Sequence, residues 1–189
     1  LVDECHRHGL KYIMDIVPNH VNPRHWWHKD LPDSSWYNQW PEFTRTNYKI
    51  VVATDPHASK ADKDQLQKGW FDTNMADLNY NNKLLFDYVL QSYIYWAELT
   101  GLDGFRVDTY PYNDLNLASQ MMAGIRREYP NMNLVGECWV KSIPEMAYFQ
   151  TGNNNRDGFD SQLPSIMDFI LKDWLEMAFV EGEAWDKGM

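Results

Sequence analysis

Apolar positions along this chain fall either into short unbroken runs or into longer stripes with a helical period. "KYIMDIVPNHV" (11–21) follows Gly9 and Leu10 as an apolar run with a single Asp, closed by Pro18 and Asn19, and it predicts a buried strand. "LDGFRVD" (102–108) and "NLVGECWV" (133–140) repeat that character. "NNKLLFDYVLQSYIYWAELTG" instead places Leu85, Val89, Trp96 and Leu99 on one helical stripe, with an Asn at its start and Gly101 at its end. A second helix is predicted over about 114–129, with Leu117, Met121, Ile125 and Tyr129 on one face and Pro130 as its stop. Ser142 and Glu145 form a capping-box pattern for a third, and "SQLPSIMDFIL" (161–171) reads as a further strand. Residues 22–80 break the rhythm. They are rich in Trp, Asn, Asp, Pro and His, and only "YKIVVAT" (48–54) resembles a strand, which predicts an irregular insertion.

Strands apolar on both faces, alternating with helices, predict parallel β-structure covered by helices. A doubly wound sheet and a barrel fit that pattern equally well. The chain opens with "LVDECHRHGL", which has the character of the last turns of a helix and lacks a starting Met, so a piece of a longer protein is expected and the compartment is unreadable.

Composition removes several function classes. With 17 Lys and Arg against 27 Asp and Glu, the formal net charge is −10, the wrong sign for binding nucleic acid or an anionic membrane surface. No stretch approaches the roughly 20 apolar residues of a membrane span. Cys5 and Cys138 are the only cysteines, too few for a disulfide framework or a zinc pattern, and buried free thiols are expected.

The chemistry gathers at strand ends. In parallel α/β folds functional groups collect at the carboxyl ends of the strands. Here the first strand ends in Asn19 and His20, the second in Arg106 and Asp108, and the third in Glu137. Arg106 and Asp108, two residues apart, share a face. The arginine favours the ionised form of that carboxylate, whereas Glu137, after a Gly and among apolar neighbours, is expected to be desolvated and held protonated. One ionised and one neutral carboxylate is the division of labour of a retaining glycoside hydrolase. A plain Arg106–Asp108 ion pair, with Glu137 as a solvated strand end, fits the same residues.

"DIVPNH", "GFRVD" and "GECW", in that order, resemble three short conserved regions of the α-amylase superfamily, glycoside hydrolase family 13, and "MADLN" (75–79) resembles a fourth found in oligosaccharide-acting members such as neopullulanases and cyclomaltodextrinases. The resemblance implies part of a (β/α)8 TIM barrel, about strands 3 to 6. Residues 1–21 would hold a helix end and strand 3, 22–80 an inserted domain, and 81–189 the barrel from helix 3 to beyond strand 6. It implies Asp108 as nucleophile, Glu137 as acid/base, Arg106 orienting the nucleophile, and His20 hydrogen-bonding the sugar. Asp15 and Asn19 would support the strand ends, Asn19 matching a calcium ligand in some members only. No other cofactor is implied, and the expected substrate is an α-glucan or maltooligosaccharide.

The sequence departs from the family in three ways. The third carboxylate, an Asp in a His-Asp pair, has no counterpart, since Asp160 and Asp168 lack that motif. Pro111 and Tyr112 replace the Lys-His of strict α-amylases and the Asn-Glu usual in neopullulanases. A barrel needs roughly 250 residues, so this chain is expected to be incomplete for catalysis alone and to self-associate through open sheet edges. A transglycosylase, or a catalytically silent sugar-binding relative, carries the same motifs.

Weaker signals fill the insertion. His25 and His28 sit at a spacing that admits zinc, against solvated loop histidines. Trp26, Trp27, Trp36, Trp40 and Trp70 serve either as sugar platforms or as the insertion's own core. Trp139, beside Glu137, is the better candidate for sugar contact, and Tyr110 and Tyr112 stand just beyond Asp108.

Overall fold

A computed structural model describes residues 1–22 and 24–180. Helix α1 (Val2–Arg7) leads through Gly9 into strand β1 (Ile13–Ile16). The predicted first strand is cut at Pro18, which has no N–H to donate to a ladder. Beyond it, β2 (His20–Val21) pairs antiparallel with β3 (Ala76–Asp77), His20 opposite Asp77, so one apolar run serves two sheets. The described residues between β2 and β3 include the α-helices α2 (Val51–Thr54) and α3 (Lys60–Lys68).

"YKIVVAT" is therefore not a strand. Tyr48 has φ 55°, and the Asn47 side chain accepts a hydrogen bond from Lys49 N at 3.0 Å, turning the chain just before the β-branched run. A single helical turn then buries Ile50, Val52 and Ala53. Tertiary burial overrides a modest β preference here.

Helix α4 (Lys83–Thr100) follows, capped by Asn82 Oδ1, which accepts from Leu84 N and Leu85 N, and closed by Gly101 in the left-handed region at φ 66°. Strand β4 (Gly104–Val107), helix α5 (Leu115–Glu128), strand β5 (Asn133–Gly136), helix α6 (Ile143–Tyr148), strand β6 (Ser165–Ile166) and helix α7 (Phe169–Phe179) complete the order. Half of the expected capping box is present: Ser142 Oγ accepts from Glu145 N, while the Glu145 carboxylate accepts from the Ser142 hydroxyl at 2.7 Å instead of from its N–H. The expected last strand is present but short, Ser165–Ile166, because the Asp168 carboxylate accepts from Leu171 N at 2.8 Å and starts α7 at Phe169.

The main sheet has the order β1-β4-β5-β6, and every neighbouring pair is parallel. Ile16, Val107, Gly136 and Ile166 lie side by side in register, so the carboxyl ends of the strands form one rim. Phe105, Val107, Leu134, Met121, Met122 and Ile125 are fully buried and form the centre of the core. Each such side chain contributes roughly 1.5–3 kcal/mol by leaving water. On α4 the stripe is rotated from expectation: Leu85, Val89, Leu90 and Ala97 are buried, whereas Trp96 and Leu99 are exposed. Cys138 is buried and Cys5 half-buried, and both are free thiols. No helix among the described residues is long and apolar enough to cross a membrane.

Candidate active site

Register builds the site. Asp15 on β1 stands beside Arg106 on β4, and Arg106 beside Val135 on β5. The ladder continues past the strand ends, with Asp108 N donating to Ile16 O and Glu137 N to Val107 O, both at 2.9 Å. Asp108 and Glu137 are thereby fixed at adjacent positions on the rim by main-chain bonds.

One guanidinium joins three carboxylates. Arg106 Nη1 donates to both oxygens of Asp15, at 2.9 and 3.0 Å, and to Asp108 Oδ1, while Nη2 pairs with Glu137 Oε1 at 2.7 Å. A planar fork with several donors suits this in a way a lysine ammonium does not. The other oxygen of Glu137, Oε2, accepts from Thr109 N at 2.9 Å. Glu137 is nonetheless raised above the ordinary carboxylate range, first by burial and further by the neighbouring Asp108, against the opposing pull of the Thr109 N–H and Arg106. The direction of this shift is the one expected from the sequence.

Thr109 holds a strained position. Its φ of 45° and ψ of 37° put a β-branched residue in the left-handed region, and among the described residues its buried Oγ1 has no hydrogen-bond partner. That conformation turns its N–H toward Glu137.

His20 is oriented by a buried relay. Asn19 Nδ2 donates to Asp77 Oδ2 at 3.1 Å and to Tyr112 O at 3.0 Å. Both partners are acceptors in this arrangement, so Asn19 Oδ1 faces His20 and accepts from Nδ1 at 3.0 Å. The ring's Nε2 is left as an acceptor. Burial lowers the His20 pKa, with Asp108 opposing, so the ring is held neutral. Phe71 stacks on it at 5.4 Å. Asn19 thus forms a hydrogen-bonded bridge between Asp77, the Tyr112 carbonyl and His20. Among the described residues, no three His, Cys, Asp or Glu side chains gather to hold a metal ion.

These groups open into a cavity of about 330 Å³ lined by His20, Asp108, Thr109, Tyr112 and Glu137, with Phe71, Met75 and Trp139 as its apolar walls. A larger cleft of about 690 Å³ lies between α2 and α6, but it contains none of the rim carboxylates.

The family model of the alpha-amylase catalytic domain matches residues 1–169. The chain belongs to the alpha-amylase family. A trehalose synthase from Pimelobacter sp. (strain R48) is 30% identical over 169 residues, covering 76% of this chain and 29% of that protein. An alpha-glucosidase from Apis mellifera is 26% identical over 159 residues, covering 77% of this chain and 28% of that protein. The crystal structure of the alpha-amylase from Geobacillus thermoleovorans complexed with acarbose superposes with a TM-score of 0.70 at 22% identity, covering 94% of this chain and 34% of that one. The chain spans less than a third of the length of these curated relatives. Its four parallel strands are a fragment of the family's (β/α)8 barrel.

In this alpha-amylase family chain the remaining candidates divide. Trp139 lines the cavity and is 54% exposed, one face stacked on Phe169 at 4.8 Å and 16°, so only the other face is free for a sugar. Tyr110 departs from expectation: it is fully buried, its hydroxyl donates to Ser161 O at 2.8 Å, and Tyr112 takes its place in the wall. The helical turn at 110–112 sends alternate tyrosines in different directions. Trp27 and Trp36 are core, whereas Trp26 is exposed. His25 and His28 make local hydrogen bonds, His25 Nδ1 accepting from Trp27 N and His28 Nδ1 pairing with the Tyr37 hydroxyl. Asp160 and Asp168 accept main-chain N–H groups of local turns, Gln162 N and Leu171 N.

Sequence reasoning missed Thr109, Phe71 and Met75. The position of Thr109 directly after Asp108 was the available signal for the first. Phe71 and Met75 lie in the insertion, where no periodicity indicates which side chains turn toward the rim.

Proposed function

We propose that this chain carries the nucleophile and the acid/base of a retaining α-glycoside hydrolase acting on α-glucans or maltooligosaccharides. The Asp108 carboxylate attacks the anomeric carbon as the glycosidic C–O bond breaks, and the Glu137 proton passes to the departing oxygen. Glu137, now ionised and stabilised by Arg106 and the Thr109 N–H, removes a proton from water. The water oxygen attacks the anomeric carbon and releases Asp108. Neutral His20 offers its free Nε2 to a sugar hydroxyl, and Trp139 offers one face to a ring.

The observation that carries this reading is the Arg106 fork, which holds Asp108 and Glu137 on one rim while burial keeps Glu137 inclined to its acid form. The family's third carboxylate is not supplied by a matching motif, and the chain is read as incomplete for full turnover. A neopullulanase-like preference rests on the "MADLN" segment alone, whose Asp77 forms part of the relay behind His20. A sugar in place of water as acceptor is the second reading, favoured by the relatives named trehalose synthase.

The test is reducing-sugar release from maltohexaose, pullulan and cyclodextrin by the protein carrying this chain, beside Glu137→Gln. The expected loss is about 10²–10⁴-fold with sugar binding retained. Turnover unchanged by the substitution sinks the assignment. First-formed product in the α configuration supports retention, and the β configuration overturns it.

A further inference from the structure

A third cavity, of about 410 Å³, lies within the insertion between β2 and β3. Four aromatic side chains line it: Tyr37, Trp40, Phe43 and Trp70. It does not merge with the cavity on the rim, because Trp70 faces it whereas its neighbour Phe71 faces Asp108 and Glu137. Successive side chains on extended backbone point to opposite sides. One segment thus serves two cavities.

The rings are set in place before any ligand arrives. Trp40 Nε1 donates to Lys68 O at 2.9 Å and Trp70 Nε1 to Asn38 O at 2.7 Å, which fixes both indole planes. The Tyr37 hydroxyl is tied to His28 Nδ1 at 3.1 Å, and Phe43 meets the edge of Trp70 at 6.2 Å and 86°. With their N–H groups occupied, Trp40 and Trp70 keep fixed planes along the cavity, while Tyr37 is buried and Arg45 stands over the Phe43 ring. Among the described residues the Glu42 carboxylate and the Gln39 amide oxygen stand at the rim without a hydrogen-bond partner, free to accept hydroxyl protons.

Flat apolar faces combined with unengaged acceptors suit a ligand whose rings carry C–H faces and hydroxyl edges. The volume lies in the lower part of the range of small-molecule sites, about 300–1,000 Å³. The Arg45 guanidinium, paired with Asp72, already sits 6.0 Å from the centre of the Phe43 ring, so that ring's cation position is taken. We infer that this cavity is a second, non-catalytic binding site for an α-linked glucan, one that holds a distant part of the chain. The choice of sugar rests on the proposed glucan activity; the site's existence rests on its own geometry.

Indole N–H resonances of the 15N-labelled protein distinguish the two sites, Trp40 reporting on this cavity and Trp139 on the rim, each assigned by its Trp→Phe variant. Maltohexaose is expected to shift both saturably in the Glu137→Gln background. Phe43→Ala is expected to weaken the Trp40 response about tenfold and to leave the Trp139 response unchanged. A Trp40 signal that stays still while Trp139 moves overturns this site and leaves the glucan reading intact. A Trp40 signal that moves while Trp139 stays still upholds the site and removes the rim as a sugar pocket. Choline moving Trp40 where maltohexaose does not overturns the choice of a neutral sugar.

Discussion

Arg106 reaches carboxylates from three successive strands, and at the residue scale most of the site's electrostatics passes through it. Removing it as Arg106→Met misplaces Asp108 and Glu137 together, and misplacement on the ångström scale costs about 10²-fold in kcat/KM. It also leaves a signature that misfolding does not. Glu137 acts first as an acid, so kcat/KM falls as pH rises through its pKa, which burial already raises. Arg106 opposes that rise, so its loss moves the alkaline limb to higher pH, readable in the residual activity. Thr109 gives a prediction of opposite sign. A non-glycine residue in the left-handed region costs about 1–3 kcal/mol, and glycine returns part of the gain as chain entropy. Thr109→Gly is therefore expected to raise the unfolding free energy by about 1 kcal/mol in a urea titration, while its N–H still reaches Glu137. A variant less stable than the parent would show that the side chain contributes packing beyond its strain.

At the scale of elements, the parts most legible in the sequence are those whose partners are other regular elements. β4 and β5 were readable because a strand covered on both faces has few polar positions, β1 because its run is apolar but for Asp15, and α5 because its apolar face and its Pro130 stop agree. The rim carboxylates were legible for the same reason: a charge at the end of an apolar run is conspicuous. The insertion was not. Val51 and Val52 belong to a helix turn because Ile50 and Ala53 must be buried beside them, a tertiary requirement with no local trace. Tyr110 was misplaced because burial of a tyrosine depends on a distant acceptor, Ser161 O. The clasp of β2 on β3 shows what the insertion adds. Asp77 is buried beneath the rim, accepting from Asn38 Nδ2 at 2.7 Å and Asn19 Nδ2 at 3.1 Å. Burial raises its pKa well above the ordinary value despite those donors, so folding favours the protonated form. That contribution is fully present below the unfolded carboxylate pKa of about 3.9 and is lost as pH rises through the folded value. Asp77→Asn is expected to flatten this part of the dependence of Tm on pH. It also leaves an amide donor facing Asn19 or Asn38, a cost of about 1–3 kcal/mol. A slope identical to the parent's would remove Asp77 from the pH dependence.

At the scale of the whole molecule, the sheet ends at β1 on one side and β6 on the other, and strands with open edges offer unpaired N–H and C=O groups. Large apolar side chains accompany them. Ile13 on β1 is 47% exposed, and on α7 the positions Leu171, Trp174, Leu175 and Phe179 are exposed at the spacing of one helical face. On α4, Tyr95, Trp96 and Leu99 are exposed as well. Exposed apolar stripes of that kind mark surfaces that associate. We propose that this 189-residue chain, prepared by itself, self-associates in a concentration-dependent way. Light scattering behind size-exclusion chromatography is expected to show a mass that rises with loading, and Trp174→Glu, which puts a charge in the α7 stripe, to lower it. The net charge of −10 works against association, so added salt is expected to strengthen it by screening that repulsion. A monodisperse 22.4 kDa species across the concentration range, with cooperative unfolding, would mean that the four strands and their helices bury enough surface to stand alone. The apolar face of α7 would then need another explanation than the packing of a partner against it.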